Sequence, residues 1–237
     1  MKIRLIDYNR GMVDAWKIAF AGVDDIEIHQ NSAFAIPTEC IVSPANSAGY
    51  MDGGFDATIT NYLGPAVQAN VQKRIREEYN GELLVGQAIY VPTESKLVPY
   101  CISAVTMRVP LYLGPSSVNA YLAARAIFIL LKQPNLPFSS VTIPGLGTGV
   151  GKIPYENCAH QMRQAYDDFY LGKWKEPVSW WAAQVEHQKL FRFKANTYVD
   201  LQHHNSEDVV KNDLKENNSN VISPGDLSDM FPGSTIL

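Results

Sequence analysis

Ile143-Pro-Gly-Leu-Gly-Thr-Gly-Val-Gly-Lys152 is the stretch that decides how this sequence of 237 residues is expected to fold. A short β-branched run at residues 141–143 precedes the glycines, and an amphipathic helical pattern that begins near Tyr155 follows them. The stretch therefore predicts a loop that joins a strand to a helix. In open α/β sheets such loops lie at the carboxyl edge of the sheet, where ligands bind.

A second loop of this kind occurs earlier in the chain, Val42-Ser-Pro-Ala-Asn-Ser-Ala-Gly-Tyr-Met-Asp-Gly-Gly-Phe-Asp56. It leaves another short apolar run and leads into a helical pattern at residues 57–63. Because glycine has no Cβ, the backbone of both loops can approach a ligand closely, and N–H groups at a helix start attract anions. Lys152 is the only basic side chain in either loop, so we expect backbone N–H groups to hold any phosphate bound here.

Two common nucleotide-binding motifs are absent from both loops. Neither contains the GxxxxGK[ST] of a P-loop, and neither is a GxGxxG after the first strand with an acidic residue about twenty positions further on. A glycine cluster also has a simpler interpretation, because it can form a tight turn without any ligand. The loop sequences alone leave both interpretations open.

Short apolar runs alternate with longer amphipathic patterns along the chain. The runs predict strands at residues 3–8, 26–29, 41–43, 88–91, 101–105 and 141–143. Helical spacing predicts helices at residues 12–20, 57–63, 118–131 and 155–169, of which the third is apolar on nearly all sides, and a further helix is expected at residues 179–190. This alternation predicts an α/β fold with helices on both faces of a central mixed sheet.

The composition is that of a globular protein, with 46% hydrophobic and 19% charged residues. Three isolated cysteines, Cys40, Cys101 and Cys158, form no CxxC pair, so we expect neither a disulfide framework nor a metal site. No apolar run approaches the roughly eighteen residues of a membrane span. We therefore expect a cytoplasmic protein that does not bind membranes.

The net charge of −4 is unevenly distributed. Residues 203–237 carry six acidic and two basic side chains, so the rest of the chain is balanced, which argues against a protein that coats a phosphate backbone by charge alone. We also expect no direct sequence-specific binding of nucleic acid. We expect residues 203–237 to form a flexible acidic polar tail and residues 172–202 to form a tryptophan-rich extension that packs on the preceding domain. Trp174, Trp180 and Trp181 in this extension are candidates for a contact with another protein.

Taken together and in this order, the two loops resemble those of the macro domain family. The matching features are Ala45-Asn after a strand, Gly53-Gly-Phe-Asp before a helix, and the late glycine loop from Pro144 to Gly151. The resemblance covers roughly residues 1–171 and implies a three-layer α/β/α domain with a central mixed sheet. Macro domains bind ADP-ribose; some members hydrolyse ADP-ribose esters or ADP-ribose 1″-phosphate, and others only bind the ligand.

The resemblance also implies a ligand site, no cofactor, and ADP-ribose or an ADP-ribosylated macromolecule as the partner. The resemblance implies that the second glycine loop wraps the diphosphate and that the first loop supplies backbone donors on the other side of the diphosphate. It also implies that Asn46 and Asp56 flank the distal ribose as candidate catalytic residues. The ligand-binding residues implied are Ser32, Ala45, Asn46, Gly53, Gly54, Phe55, Gly147, Thr148, Gly149, Val150 and Gly151.

Four positions depart from the family pattern. Ser43 and Pro44 replace the first two residues of the frequent Asn-Ala-Ala-Asn, and Val150 replaces an aromatic residue in the second loop. Ser32 lies where an aspartate commonly binds the adenine amino group. A serine hydroxyl reaches less far and carries no charge, so we expect weak discrimination between bases.

Three functions fit these residues. The leading hypothesis is a hydrolase that acts on ADP-ribosyl derivatives, because both Asn46 and Asp56 are present beside the glycine loops. The second is a protein that binds ADP-ribose without turnover and acts through its C-terminal extension or tail. The third is a structural protein with a vestigial pocket, which the residues Ser32 and Val150 favour.

Overall fold

A computed structural model describes residues 1–191. Six strands are present there: β1 (Lys2–Asp7), β2 (Ile26–Gln30), β3 (Cys40–Asn46), β4 (Ala88–Pro92), β5 (Tyr100–Met107) and β6 (Ser140–Ile143). The α-helices of this part are α1 (Arg10–Ala19), α2 (Gly54–Leu63), α3 (Ala66–Glu78), α4 (Asn119–Leu131), α5 (Tyr155–Ala165), which continues into a π-helical turn (Tyr166–Tyr170), and α6 (Trp180–Gln188). The predicted tail at 203–237 and the end of the predicted extension at 192–202 lie outside the described residues.

The strands form one six-stranded sheet in the order β2-β1-β6-β3-β5-β4. Strand β4 pairs antiparallel with β5, and every other neighbouring pair is parallel. The mixed sheet predicted from the sequence is therefore confirmed, and each predicted strand overlaps an observed one. Helix α3 is the element that the sequence patterns do not predict.

Helices cover both faces of the sheet, which confirms the three-layer α/β/α fold. Alternate side chains of β3 point to opposite faces, as a pleated strand requires. Val42 belongs to a core that includes Trp16 of α1 and also buries α4 and α5. Ile41 belongs to a second core that includes Ile59 of α2 and Val71 of α3. Complete burial of each of these large apolar side chains contributes roughly 1.5–3 kcal/mol relative to exposure.

The strand order brings three carboxyl ends together. Strands β3 and β6 are parallel neighbours, so the two glycine loops that follow them meet at one edge of the sheet. Strand β1 is the parallel neighbour of β6 on its other side, so Asp7 at the end of β1 reaches the same edge. The predicted position of both loops at the carboxyl edge is confirmed by this topology.

Residues 172–191 contact the domain through the end of α6 more than through their tryptophans. Leu190 is buried, the imidazole Nε2 of His160 lies 2.6 Å from the Lys189 carbonyl oxygen, and Trp174 stacks on Phe169 at a centroid distance of 6.3 Å. The exposed fractions of Trp174, Trp180 and Trp181 are 50%, 79% and 53%. The boundary at residue 171 stays a prediction. Within residues 1–191 no helix has the length and apolarity that a membrane span requires.

Candidate functional site

A cavity of about 460 Å³ lies between the two glycine loops. Most of the residues predicted for the ligand site line it: Ala45, Asn46, Gly53, Gly54, Phe55, Asp56, Gly147, Thr148, Gly149 and Val150. The two loops that the sequence placed at one edge of the sheet thus share one concave surface. Its size falls in the range of small-molecule and cofactor sites.

The second loop offers free backbone donors to this cavity. Among the described residues, the N–H groups of Gly147, Thr148, Gly149 and Val150 have no protein acceptor. Several successive backbone N–H groups without protein partners can form an anion-binding concavity. The geometry therefore suits a negatively charged group such as a phosphate.

Gly151 serves the shape of the loop and does not line the cavity. Its carbonyl oxygen accepts the N–H groups of Leu113 at 2.8 Å and Gly114 at 3.0 Å. A Cβ on Gly151 would lie 2.5 Å from the carbonyl oxygen of Gly147, so the chain crosses itself too closely there for any side chain. Gly151 thus fixes the loop conformation that exposes the N–H groups of its neighbours.

The first loop ends at the start of α2, with a second set of donors. Gly53 is the N-cap residue, and no side chain caps this helix end. Among the described residues, the N–H groups of Gly53, Gly54 and Phe55 have no protein acceptor. Free N–H groups and the positive end of the helix dipole both favour an anion at this position.

Asp56 follows in the first turn of α2 and forms part of the cavity wall. Its side chain is largely buried, and the Ser43 hydroxyl of β3 donates a hydrogen bond of 2.5 Å to its Oδ1. Burial raises the pKa of Asp56 from 3.8 to about 6, although the hydrogen bond from Ser43 opposes this rise and the charge of Asp52 adds to it. A carboxylic acid with a pKa near neutrality can exchange a proton with a substrate or a water.

The Asn46 side chain is engaged within its own loop. Its Oδ1 accepts the N–H groups of Ala48 and Tyr50, both at 3.2 Å, and its Nδ2 donates to the Tyr50 carbonyl oxygen at 2.7 Å. These bonds shape the turn that follows β3 and leave one Nδ2 hydrogen for a ligand. Asn46 therefore has a structural role that its sequence position did not predict.

Ser32 lies beside the cavity, while its neighbours Asn31 and Ala33 line it. The Ser32 hydroxyl accepts the N–H group of Phe34 at 3.3 Å, a local turn in the backbone after β2. No ligand contact follows from this position alone, so the proposed contact of Ser32 with the base stays a prediction.

Sequence reasoning missed several cavity residues, among them the polar residues Asp7, Asn9, Asn31 and Tyr155. Asn9 Nδ2 donates to the Tyr155 hydroxyl at 2.8 Å, which links the start of α1 to the start of α5. The signal for these residues is their position directly after a strand or at the start of a helix. These residues lie on the same carboxyl edge as the glycine loops. The order of the strands in the sheet determines which other residues they contact there.

The charge of the cavity is negative before any ligand enters. Asp7, Asp52 and Asp56 line it, and no lysine or arginine is among the described lining residues. Within residues 1–191 no group of histidine, cysteine, aspartate and glutamate side chains is arranged to hold a metal ion. Backbone N–H groups and uncharged polar side chains are thus the donors that the lining residues offer to an anion.

The macro domain family model matches residues 42–162, about half of the chain, and the protein belongs to this family. The match begins within β3, so β1, α1 and β2 lie outside it although β1 occupies an interior position in the sheet.

Several bacterial proteins are similar to this chain in sequence. An uncharacterised protein of Aquifex aeolicus is 30% identical over 138 residues, which are 58% of this chain and 78% of that protein. The O-acetyl-ADP-ribose deacetylase of Salmonella gallinarum is 27% identical over 146 residues, which are 61% of this chain and 78% of the relative. Two uncharacterised mycobacterial proteins are 28% identical, but the match spans only 36% of their length.

Among solved structures, a variant of the Oceanobacillus iheyensis macrodomain with ADPR superposes with a TM-score of 0.50 at 22% identity. The superposition covers 68% of this chain and 88% of that one. This similarity supports the fold, in agreement with the sheet order and the layers described above.

Proposed function

We propose that this protein binds ADP-ribose in the cavity between the two loops and hydrolyses an ADP-ribose ester there. One observation carries the proposal: two sets of unpaired backbone N–H groups and a single largely buried carboxylate, Asp56, line the same cavity. The similarity to the Salmonella relative, an O-acetyl-ADP-ribose deacetylase, supports the same class of substrate.

The binding step rests on the diphosphate. Its negative charges meet the N–H groups of residues 147–150 on one side and those of the α2 N-terminus on the other. Such backbone donors are fixed by the fold and lose no side-chain entropy on binding. Binding energy from the diphosphate then orients the distal ribose toward Asp56.

The chemical step needs a base and no metal. A water held by Asp56 attacks at C1″ of the distal ribose, its oxygen bonds to that carbon, and its proton passes to the carboxylate of Asp56. The bond between C1″ and the ester oxygen breaks, and the acyl group leaves as a carboxylate with the electron pair of that bond. The pKa of about 6 leaves Asp56 mostly ionised at neutral pH, as a base requires.

A second candidate, binding without turnover, is favoured by Asn46. Its amide is largely committed to the turn at Ala48 and Tyr50, which limits its freedom to orient a ribose. In that case the cavity would bind ADP-ribose, and the substitutions Asn46→Ala and Asp56→Ala would lower affinity only.

Two measurements separate these functions. Calorimetric titration with ADP-ribose measures binding, and incubation with a protein mono-ADP-ribosylated on carboxylates, or with ADP-ribose 1″-phosphate, measures release of ADP-ribose. For the hydrolase we expect Asp56→Ala to reduce turnover far more than affinity, because a base acts mainly in the transition state. Asp24→Asn, an exposed acid on another surface, serves as the control and should change neither value.

Binding without release from either substrate would establish the non-catalytic function. Absence of binding at millimolar ADP-ribose would contradict both candidate functions. A structural protein with a vestigial pocket would then be the remaining hypothesis.

A further inference from the structure

Ser43 is a completely buried polar residue on the central strand β3. Its hydroxyl has one hydrogen to donate, and this hydrogen goes to Asp56 Oδ1 at 2.5 Å. The two residues belong to different elements, a strand and the helix that follows it. The contact therefore ties β3, whose next residues Pro44 and Ala45 line the cavity, to the carboxylate in the cavity wall.

The bond determines which carboxylate oxygen remains available. Oδ1 of Asp56 is occupied by Ser43, whereas Oδ2 accepts no hydrogen bond from the described residues. Oδ2 also is not one of the fully buried polar atoms that lack a partner. Since Asp56 lines the cavity, Oδ2 is the oxygen that a water or ligand in the cavity can reach.

The other titratable groups that face Asp56 give no such support. They are Asp52, from the loop before α2, and the buried Cys101 thiol on β5. Asp52 carries a like charge, and burial raises the pKa of the Cys101 thiol far above its ordinary value, so the thiol is neutral. Ser43 is therefore the side chain that stabilises the ionised carboxylate, together with the positive end of α2.

We propose that Ser43 is a positioning residue for Asp56: it holds Oδ1 so that Oδ2 faces the cavity, and it keeps the carboxylate ionised at neutral pH. This inference rests on the proposed function, in which Asp56 is the base. It also gives the Ser43 departure from the family sequence a physical role, because a hydroxyl at this position is the donor that Asp56 needs.

The chain provides a matched control on the neighbouring strand. Ser103 of β5 is paired in register with Ser43 and is equally buried, but its hydroxyl has no hydrogen-bond partner. Ser103→Ala removes the same atom from the same layer of the sheet without touching the carboxylate. Any difference between Ser43→Ala and Ser103→Ala thus reports the bond to Asp56 and not the loss of buried volume.

The experiment measures ester hydrolysis from pH 5 to pH 9 for the parent and both variants. For Ser43→Ala we expect the acidic midpoint of the rate profile to move upward by about one pH unit, a roughly tenfold loss of rate at the low-pH end. The rates should converge at high pH, and affinity for ADP-ribose should stay within about twofold of the parent. Ser103→Ala should keep the parent profile.

A second measurement follows Asp56 without using activity. The ¹³C chemical shift of its carboxyl group, assigned by its loss in Asp56→Asn, is titrated in each protein. An upward midpoint in Ser43→Ala alone supports the inference even if the parent lacks hydrolysis, a result that would contradict only the proposed function. An unchanged midpoint in Ser43→Ala, or an equal move in Ser103→Ala, would overturn it. Ser43→Cys, a weaker donor, replaces Ser43→Ala if that variant does not fold.

Discussion

Asp56 is an ionisable residue that is largely buried, and its burial lowers the stability of the folded protein at neutral pH. In the folded protein its pKa is about 6, against an ordinary value of 3.8. Between these values the folded protein holds a proton that the unfolded chain has released. Stability contributed by this group is therefore present below about pH 4 and is lost as the pH rises through about 6.

The substitution Asp56→Asn is predicted to remove this pH-dependent loss of folding stability. At pH 7 the variant should be more stable than the parent by up to about 3 kcal/mol, an upper figure that follows from the difference in pKa. Near pH 4 the two proteins should be equally stable. Denaturant unfolding from pH 4 to pH 8 measures both differences. A constant offset between parent and variant across this range would contradict the prediction, and Asp24→Asn controls for the loss of one charge.

Gly149 makes a separate prediction at the second loop. A Cβ at Gly149 would meet no atom within 4 Å, and the φ angle of Gly149 is not positive. The glycine is therefore explained by close approach to a ligand and not by a special backbone conformation. We expect Gly149→Val to fold like the parent and to lose ADP-ribose binding by at least about tenfold, with Gly149→Ala between them. Calorimetry measures the affinity for ADP-ribose, and thermal unfolding measures the stability of each variant. Parent-like affinity in Gly149→Val would place the diphosphate elsewhere.

At the scale of elements, the ends of β1 and β2 determine the far end of the cavity. Asp7, Asn9 and Asn31 line it there, while Ser32 turns its hydroxyl to the backbone of Phe34. Asp7 is itself engaged, since its Oδ1 accepts the N–H group of Asn9 at 2.8 Å. These groups form a polar surface in which the expected adenine-binding aspartate is replaced by a serine.

Base discrimination is therefore predicted to be weak. Affinities for ADP-ribose and for its guanine and uracil counterparts should differ by less than about a hundredfold, or roughly 2.7 kcal/mol. Parallel calorimetric titrations give this ratio directly. A stronger preference for adenine would mean that another residue at the ends of β1 and β2 provides the missing contact.

Helix α6 supplies a prediction about stability. Leu190, directly after it, is buried with 6% of its surface exposed, whereas Trp180 at its start is 79% exposed. Leu190→Ala should lower the free energy of unfolding by about 2 kcal/mol, at the low end for a buried leucine because the site lies at the periphery. Trp180→Ala should change it by less than about 0.5 kcal/mol. Equal effects of the two substitutions would show that the tryptophan anchors the segment.

The contrast between predicted and observed elements has physical causes. Strands and amphipathic helices followed from local periodicity, and even α3 left a signal in its buried Val67, Val71 and Ile75, which are spaced four residues apart. Its other positions are mostly polar, which hid the pattern. The pair Ser43 and Asp56 left no signal, because their contact depends on how α2 folds back over β3. The contribution of Asp7 likewise depends on the position of β1 in the sheet.

At the scale of the molecule, the charge of the cavity and the charge of the proposed ligand have the same sign. The cavity is lined by three aspartates and by no basic side chain among the described residues, and the chain outside 203–237 is neutral. ADP-ribose is itself an anion. Its affinity should therefore stay constant or rise slightly between 50 and 500 mM salt, because salt screens the repulsion. Calorimetry at several salt concentrations tests this, and a tenfold decrease in affinity would indicate that lysine or arginine side chains hold the ligand.

The place of β1 inside the sheet also affects how the protein is made. Lys2 is paired with Ser140, and Asp7 accepts the N–H group of Gly145 across the same strands. During synthesis β1 leaves the ribosome before its partner β6, and four other strands lie between the two in the chain. Contacts so far apart in sequence close slowly, since the entropy of the intervening chain must be lost first. The cavity, whose walls include the end of β1, can therefore form only when nearly the whole domain has been translated.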